Sequence, residues 1–279
     1  MKKRIISLFL VVAFVVSVPL VGLSAQNPIK GVALGDSVAA FYGVEEKDGF
    51  VSQLSALLNA KKIDNEFKNL AVSGYDTQAL LVQLTEKKVL AEIKKADIIT
   101  LNIGGNNILT PLIGILLDDL KALKINDFAD MQKAPPVVLM AFILKRMTEA
   151  QMTSLMKGVA LFEEDFPEII KILHKTAPNA KILVNTVYNP IPPMLGLYKA
   201  SEILVPLINE VIVKNAEELA YTVVDVYTVY QDSVDVITNF DIASGSVDIH
   251  PNASGHTLIA EAVAEEIVKI YTPNTKTKK

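Results

Sequence analysis

An α/β fold is expected, a three-layer α/β/α sandwich around a central, mainly parallel five-stranded sheet with a helical insertion after the third strand. Three observations predict it. Short apolar runs alternate along the chain with segments of helical period, an order that implies right-handed crossovers between parallel strands. The first run, Ile29 to Leu34, is apolar apart from Lys30, which suits a strand buried in the middle of a parallel sheet. Ser73-Gly74 and Gly104-Gly105-Asn106 each follow such a run directly, at the strand ends where open α/β sheets bind ligands.

Ile29 to Leu34 is the first expected strand, apolar apart from Lys30, and it runs into Gly35-Asp36-Ser37. Phe50, Leu54, Leu57 and Leu58 then recur at helical spacing. Phe67 to Val72 is the second strand, Thr77 to Val89 a helix, and Ile98 to Ile103 the third strand. Beyond it the chain is longer than one crossover needs. Thr110 to Leu123 carries Leu112, Ile115, Leu116 and Leu120, and Val137 to Leu144 is apolar on every side. Thr148 and Gln151 have capping-box spacing and start a further helix toward His174. This stretch, about 110–160, either enlarges the core or forms a cap over the site. The cap is favoured because the insertion begins at the ligand-binding edge, and part of the Val137 to Leu144 run is then free to touch membrane or lipid. Lys181 to Val187 is the fourth strand, followed by a proline-rich loop at Asn189 to Pro193. A helix near Lys199 to Tyr221, a fifth strand at Thr222 to Val226 and a last helix from about Ser254 to Ile270 complete the domain, 26–271. The Thr/Lys-rich residues 272–279 read as a disordered tail.

The first 25 residues stand apart. Met1 to Arg4 carries three positive charges, Ile5 to Val21 is almost purely apolar, and Leu23-Ser24-Ala25 ends in small residues, the pattern of a signal peptide cleaved after Ala25. Leu23 is an unusual residue at that place, and about 17 apolar residues can just span a bilayer, so an uncleaved anchor is the rival. Both put the domain outside the cytoplasm. Net charge is −4 over 279 residues, and without Lys2, Lys3 and Arg4 there remain 24 basic residues against 31 acidic ones, a poor match to nucleic acid. The absence of cysteine excludes disulfides and thiolate metal sites.

Ser37 leaves a strand end in a tight turn after a glycine, where its hydroxyl can meet a substrate carbonyl, although a serine capping a helix reads the same way. A serine nucleophile needs a base, and histidine is the usual one. Of three histidines, His174 lies inside a helix and reads as structural, and His256 starts the last helix, where it caps or packs. His250 sits in a loop stiffened by Pro251 and is the candidate base. Asp248 is the carboxylate nearest to it, and either it or a backbone carbonyl near Ser246 or Val247 orients the ring. Asp36 is expected to brace the serine turn. Asp118-Asp119 and Glu163-Glu164-Asp165 are consecutive acids on helices, which usually form a solvated face, and no cluster has metal-ligand spacing. No metal, cofactor or obligate protein partner is expected.

Taken in order, Gly35-Asp36-Ser37, Ser73-Gly74, Gly104-Gly105-Asn106-Asn107 and Asp248-Ile249-His250-Pro251-Asn252 resemble the four blocks of the SGNH/GDSL hydrolase family, over nearly all of the chain after the leader. The resemblance implies that Ser37 is the nucleophile and His250 the base. It gives the oxyanion hole to the backbone N–H groups of Ser37 and Gly74 and the side chain of Asn106. It implies hydrolysis of carboxylic esters, of acyl lipids in the first place and of O-acetyl groups on cell-wall or plant polysaccharide as the alternative, with a binding protein that has lost catalysis as a third reading. Two positions depart from the pattern. The family usually places its aspartate three residues before the histidine, where this chain has Val247, and Asn107 stands where an aspartate often follows the asparagine.

Overall fold

A computed structural model describes residues 27–127, 130, 147–191, 197–241 and 246–271. The leader, the Val137 to Leu144 run and the tail lie outside them. Five strands form one parallel sheet in the order β2-β1-β3-β4-β5, with β1 at Ile29–Gly35, β2 at Asn65–Asn69, β3 at Ile98–Asn102, β4 at Lys181–Asn185 and β5 at Thr222–Val224. The helices are α1 (Phe50–Ala60), α2 (Thr77–Gln83), α3 (Lys87–Ile93), α4 (Gly105–Leu120), α5 (Glu149–Thr176), α6 (Tyr198–Lys214), α7 (Val226–Gln231) and α8 (Ala253–Tyr271).

Alternate residues of each strand face opposite sides, and each side is covered by its own helices. Val32 and Leu34 of β1 join Leu80, Val89, Phe162, Ile169 and Ile208 from α2, α3, α5 and α6. Ala33 and Ile98 join Phe50, Leu54 and Leu58 of α1 with Ile259, Val263 and Ile267 of α8. Burial of each such Leu, Ile or Phe side chain contributes roughly 1.5–3 kcal/mol, so the two cores hold the sheet in the expected three layers. Of the insertion expected at about 110–160, residues 149–160 belong to the crossover helix α5. Its capping box is complete, with Thr148 Oγ1 accepting from Gln151 N–H and Gln151 Oε1 accepting from Thr148 N–H. Leu155 and Val159 are packed into the core.

Several boundaries differ from the expected ones. β2 ends at Asn69 rather than Val72, yet Leu70 and Val72 still donate to the Ala33 and Gly35 carbonyls, so the chain tracks β1 to its end. The helix expected over 77–89 is two, α2 and α3, broken at 84–86. The helix expected to reach Tyr221 stops at Lys214, and β5 stops at Val224, followed at once by α7, which Asp225 caps by accepting from Thr228 N–H. A separate antiparallel hairpin, β6 (Thr238–Asp241) and β7 (Ser246–Pro251), was not foreseen.

Candidate active site

β1 delivers Ser37 through a turn that demands glycine. Gly35 has φ +139°, and a Cβ there would overlap the Asn102 carbonyl of β3, which accepts the next N–H, from Asp36, at 3.0 Å. The Asp36 carboxylate turns under the nucleophile, where Oδ1 accepts from Val38 N–H and from Asn102 Nδ2, both at 3.0 Å. Asn102 Oδ1 in turn accepts from Asn185 at 3.3 Å. These bonds brace the serine turn across β1, β3 and β4, as expected of Asp36. Burial pushes the Asp36 carboxyl up to about 6, against the lowering effect of those hydrogen bonds and of His250.

His250 is corrected from a loop to a strand. It lies in β7, and residues two apart on a strand share a face, so Asp248 and His250 project the same way without any special bend. That is why a carboxylate at Asp248 serves where the related pattern has one at the position of Val247. His250 Nδ1 stands 2.6 Å from Asp248 Oδ1, which also accepts the His250 backbone N–H at 3.0 Å. The carboxylate holds the ring, rather than a backbone carbonyl near Ser246 or Val247. Because a carboxylate only accepts, Nδ1 carries the proton and Nε2 is left as the acceptor. Nε2 is 2.9 Å from Ser37 Oγ. Burial pushes the Asp248 carboxyl up, but hydrogen bonds from the His250 side chain and backbone, the imidazole charge and Asn239 outweigh it and hold the group below its ordinary value.

Asn106 lines the same cavity as Ser37 and His250, and Gly74 lies in the turn after β2, two residues beyond the Val72 N–H that bonds the Gly35 carbonyl. Gly74 takes φ +86° in the turn after β2, and among the described residues neither its N–H nor that of Ser37 has an acceptor. Asn106 sits in the first turn of α4, which opens at Gly104 with φ +119°. Its Nδ2 donates one proton to the Tyr75 carbonyl at 2.8 Å, leaving a second N–H beside Ser37 in the same cavity. The cavity, about 100 Å³, is polar at Ser37, Asn106 and His250, and its walls are apolar side chains such as Ile108, Leu112, Val205 and Ile249. A serine, an oriented histidine and the Asn106 amide beside an apolar pocket can together take an acyl carbonyl and stabilise charge on its oxygen.

Known proteins resemble the chain in sequence and fold. The sequence pattern of the GDSL-like lipase/acylhydrolase family matches residues 33–258, which span all four motif blocks. The chain belongs to that family. It is 25% identical over 243 residues to the Bacillus subtilis (strain 168) protein YpmR, covering 85% of this chain and 80% of that protein. The lipase Lip_vut3 from a goat rumen metagenome has a similar fold, with a TM-score of 0.61 at 17% identity over 85% of this chain and 96% of its own. An acetyl-xylooligosaccharide esterase from Geobacillus stearmophilus has one as well, with a TM-score of 0.54 at 16% identity over 90% of this chain and 97% of its own.

Other residues of this GDSL-family chain sit where sequence reasoning gave no signal. Tyr42 lays its ring against His250, centroids 4.3 Å apart. Tyr188 donates to the Ile249 carbonyl at 3.0 Å and ties the hairpin to β4. Asp165, expected on a solvated face, is instead buried and accepts from Thr77 and Gln78. The two remaining histidines are structural, as expected. His174 Nε2 meets the Leu219 carbonyl at 2.7 Å, and His256, fully buried, accepts the Phe50 N–H on Nδ1 at 3.2 Å. Among the described residues no group of three or more His, Cys, Asp or Glu could hold a metal ion, and no helix is long and apolar enough to cross a membrane.

Proposed function

We propose that the protein is a serine esterase that hydrolyses carboxylic esters through an acyl-enzyme. Ser37 Oγ attacks the carbonyl carbon as its proton passes to His250 Nε2, and Asp248 stabilises the imidazolium that forms. The carbonyl oxygen takes up the negative charge and is met by the Ser37 and Gly74 N–H groups and by Asn106. Collapse breaks the bond to the alcohol, which leaves with the proton from His250. Water then attacks the acyl-serine by the same route in reverse and releases the acid.

The observation that supports this most is the line from Ser37 through His250 to Asp248, at 2.9 and 2.6 Å. The apolar wall beside it favours an acyl chain over a sugar as the group held in the pocket. The second reading is removal of acetyl groups from a polysaccharide. The positively charged start and apolar run of the first 25 residues support action outside the cytoplasm, and Gln26 as the first residue of the exported protein would bear that out.

Hydrolysis of p-nitrophenyl esters from acetate to palmitate by residues 26–279 tests the reading. The expected result is an optimum at chains longer than acetate that disappears in Ser37→Ala, with kcat lowered about 10²–10³ in Asn106→Ala and by a similar factor or more in Asp248→Ala. Activity confined to acetate turns the reading to the deacetylase. Undiminished turnover in Ser37→Ala removes the mechanism.

A further inference from the structure

A Cβ built on Gly74 would have no atom within 4 Å, so that side of the turn is open. The bonds that fix this turn lie one and three residues further on. Tyr75 gives its carbonyl to Asn106 Nδ2. Thr77, fully buried at the start of α2, donates its N–H to Asn107 Oδ1 at 3.2 Å and accepts on its hydroxyl from Asn107 Nδ2 at 2.8 Å. Since that hydroxyl already receives one bond, its own proton is free to point elsewhere, and it points to Asp165 Oδ2 at 2.8 Å. Gln78 Nε2 donates to both oxygens of the same carboxylate, at 3.1 and 3.2 Å.

We propose that Asp165 is a positioning residue for the Ser73-Gly74 turn, a carboxylate on α5 that holds, through Thr77 and Asn107, the chain presenting the Gly74 N–H. The inference rests on the proposed reading of Gly74 and Asn106 as oxyanion donors. Two further observations carry it. Asp165 is only 6% exposed and has no ion pair among the described residues, and burying a carboxylate without a cation costs several kcal/mol that an apolar residue of like size would not. Fold stability therefore gives no reason for a charge here, whereas an acceptor that directs the Thr77 proton does. Gly158, two turns before Asp165 on the same helix face, lies so close that a Cβ would overlap the Asn107 carbonyl. Helix α5 thus grips Asn107 by its backbone and Thr77 by its carboxylate. The acid absent at position 107 is supplied from another element.

Asp165→Leu, Asp165→Asn and Thr77→Val test this, read by kcat and KM on a p-nitrophenyl ester, by melting temperature, and by affinity for an alkylboronic acid, which forms a tetrahedral adduct on serine and draws on the same donors. Expected are a fall in kcat of about tenfold or more in Asp165→Leu and Thr77→Val with KM within about twofold, and a matching loss of boronate affinity. Asp165→Asn, which keeps an acceptor for Thr77, stays within about threefold of the wild type. Unchanged kcat in folded Asp165→Leu overturns the proposal, as does an equal loss in Asp165→Asn or a loss of kcat with boronate affinity intact. If Asp165→Leu does not fold, Thr77→Val decides by the same criteria. Failure of the underlying reading looks different: boronate would then bind Ser37→Ala or Asn106→Ala as well as it binds the wild type.

Discussion

Asp36 and His256 are buried titratable side chains that both feel the charge of His250, and their folded-state pKa values move in opposite senses. Burial, followed by the charge of His250, pushes the His256 imidazole down to about 4 from 6.5, with only a weak opposing effect of the Tyr42 carbonyl. Between those values the unfolded chain binds the proton and the folded one does not, so His256 withdraws stability as pH falls from 6.5 to 4. Burial pushes Asp36 up to about 6 from 3.8, so here the folded chain binds the proton first and stability returns as pH falls through 6. Each effect is worth at most about 3 kcal/mol, and in the wild type they largely cancel. Single variants should uncover them. In urea unfolding at pH 7, 5.5 and 4.5, His256→Gln is expected to gain stability relative to the wild type as pH falls, and Asp36→Asn to be favoured at pH 7 and lose that advantage by pH 4.5. Parallel slopes in all three proteins would sink the assignment. At this scale Ser37, Gly74, Asn106 and His250 stood out in the sequence because four ordered motif blocks place each beside a strand or helix end. Tyr42 and Asp165 were not, because the group each touches lies far along the chain, 88 residues away for Asp165 and Thr77.

Elements decide which glycines matter and how. Gly35 and Gly74 both have positive φ, but a side chain at Gly35 would run into the backbone of β3, whereas Gly74 faces open space. Gly35→Ala is therefore expected to abolish soluble expression, since strands β1 and β3 cannot part. Gly74→Ala should fold with a loss of roughly 1–2 kcal/mol from backbone strain and show its defect in kcat, which circular dichroism melts and kinetics would separate. Strand β7, with its partner β6 and the short helix α7, was missed by sequence reasoning. Pro251 and a short polar stretch read as a loop, and in a loop Asp248 at two residues' remove has no defined direction. In a strand it shares a face with His250 by the period of two. Helix α5 was legible from its Thr148 and Gln151 cap, but the break between α2 and α3 was not, because Leu84 and Val89 are both buried and continue the apolar pattern across it.

The site exists only in the whole molecule. Ser37 and His250 are 213 residues apart, and they meet because the end of β1 and the hairpin occupy one edge of the sheet. Tyr188, after β4, is the hydroxyl that reaches across to the hairpin. Tyr188→Phe removes a bond worth about 1 kcal/mol, and the amides of 246–250 should then exchange with deuterium several-fold faster while the melting temperature scarcely moves. Unchanged exchange would mean that α8 and the strand pairing hold the hairpin without it. By itself the chain of residues determined the fold class, the order of the five strands along the chain, and the chemical types gathered at their ends, because apolar period and turn residues act over a few neighbours. Only the tertiary structure decided that Asp248 faces the imidazole, that Asn107 and Asp165 bond Thr77 beyond the Gly74 turn, and that apolar side chains wall the cavity beside Ser37. Those outcomes depend on contacts between distant elements, where backbone direction and packing set the distances, and no local pattern records them.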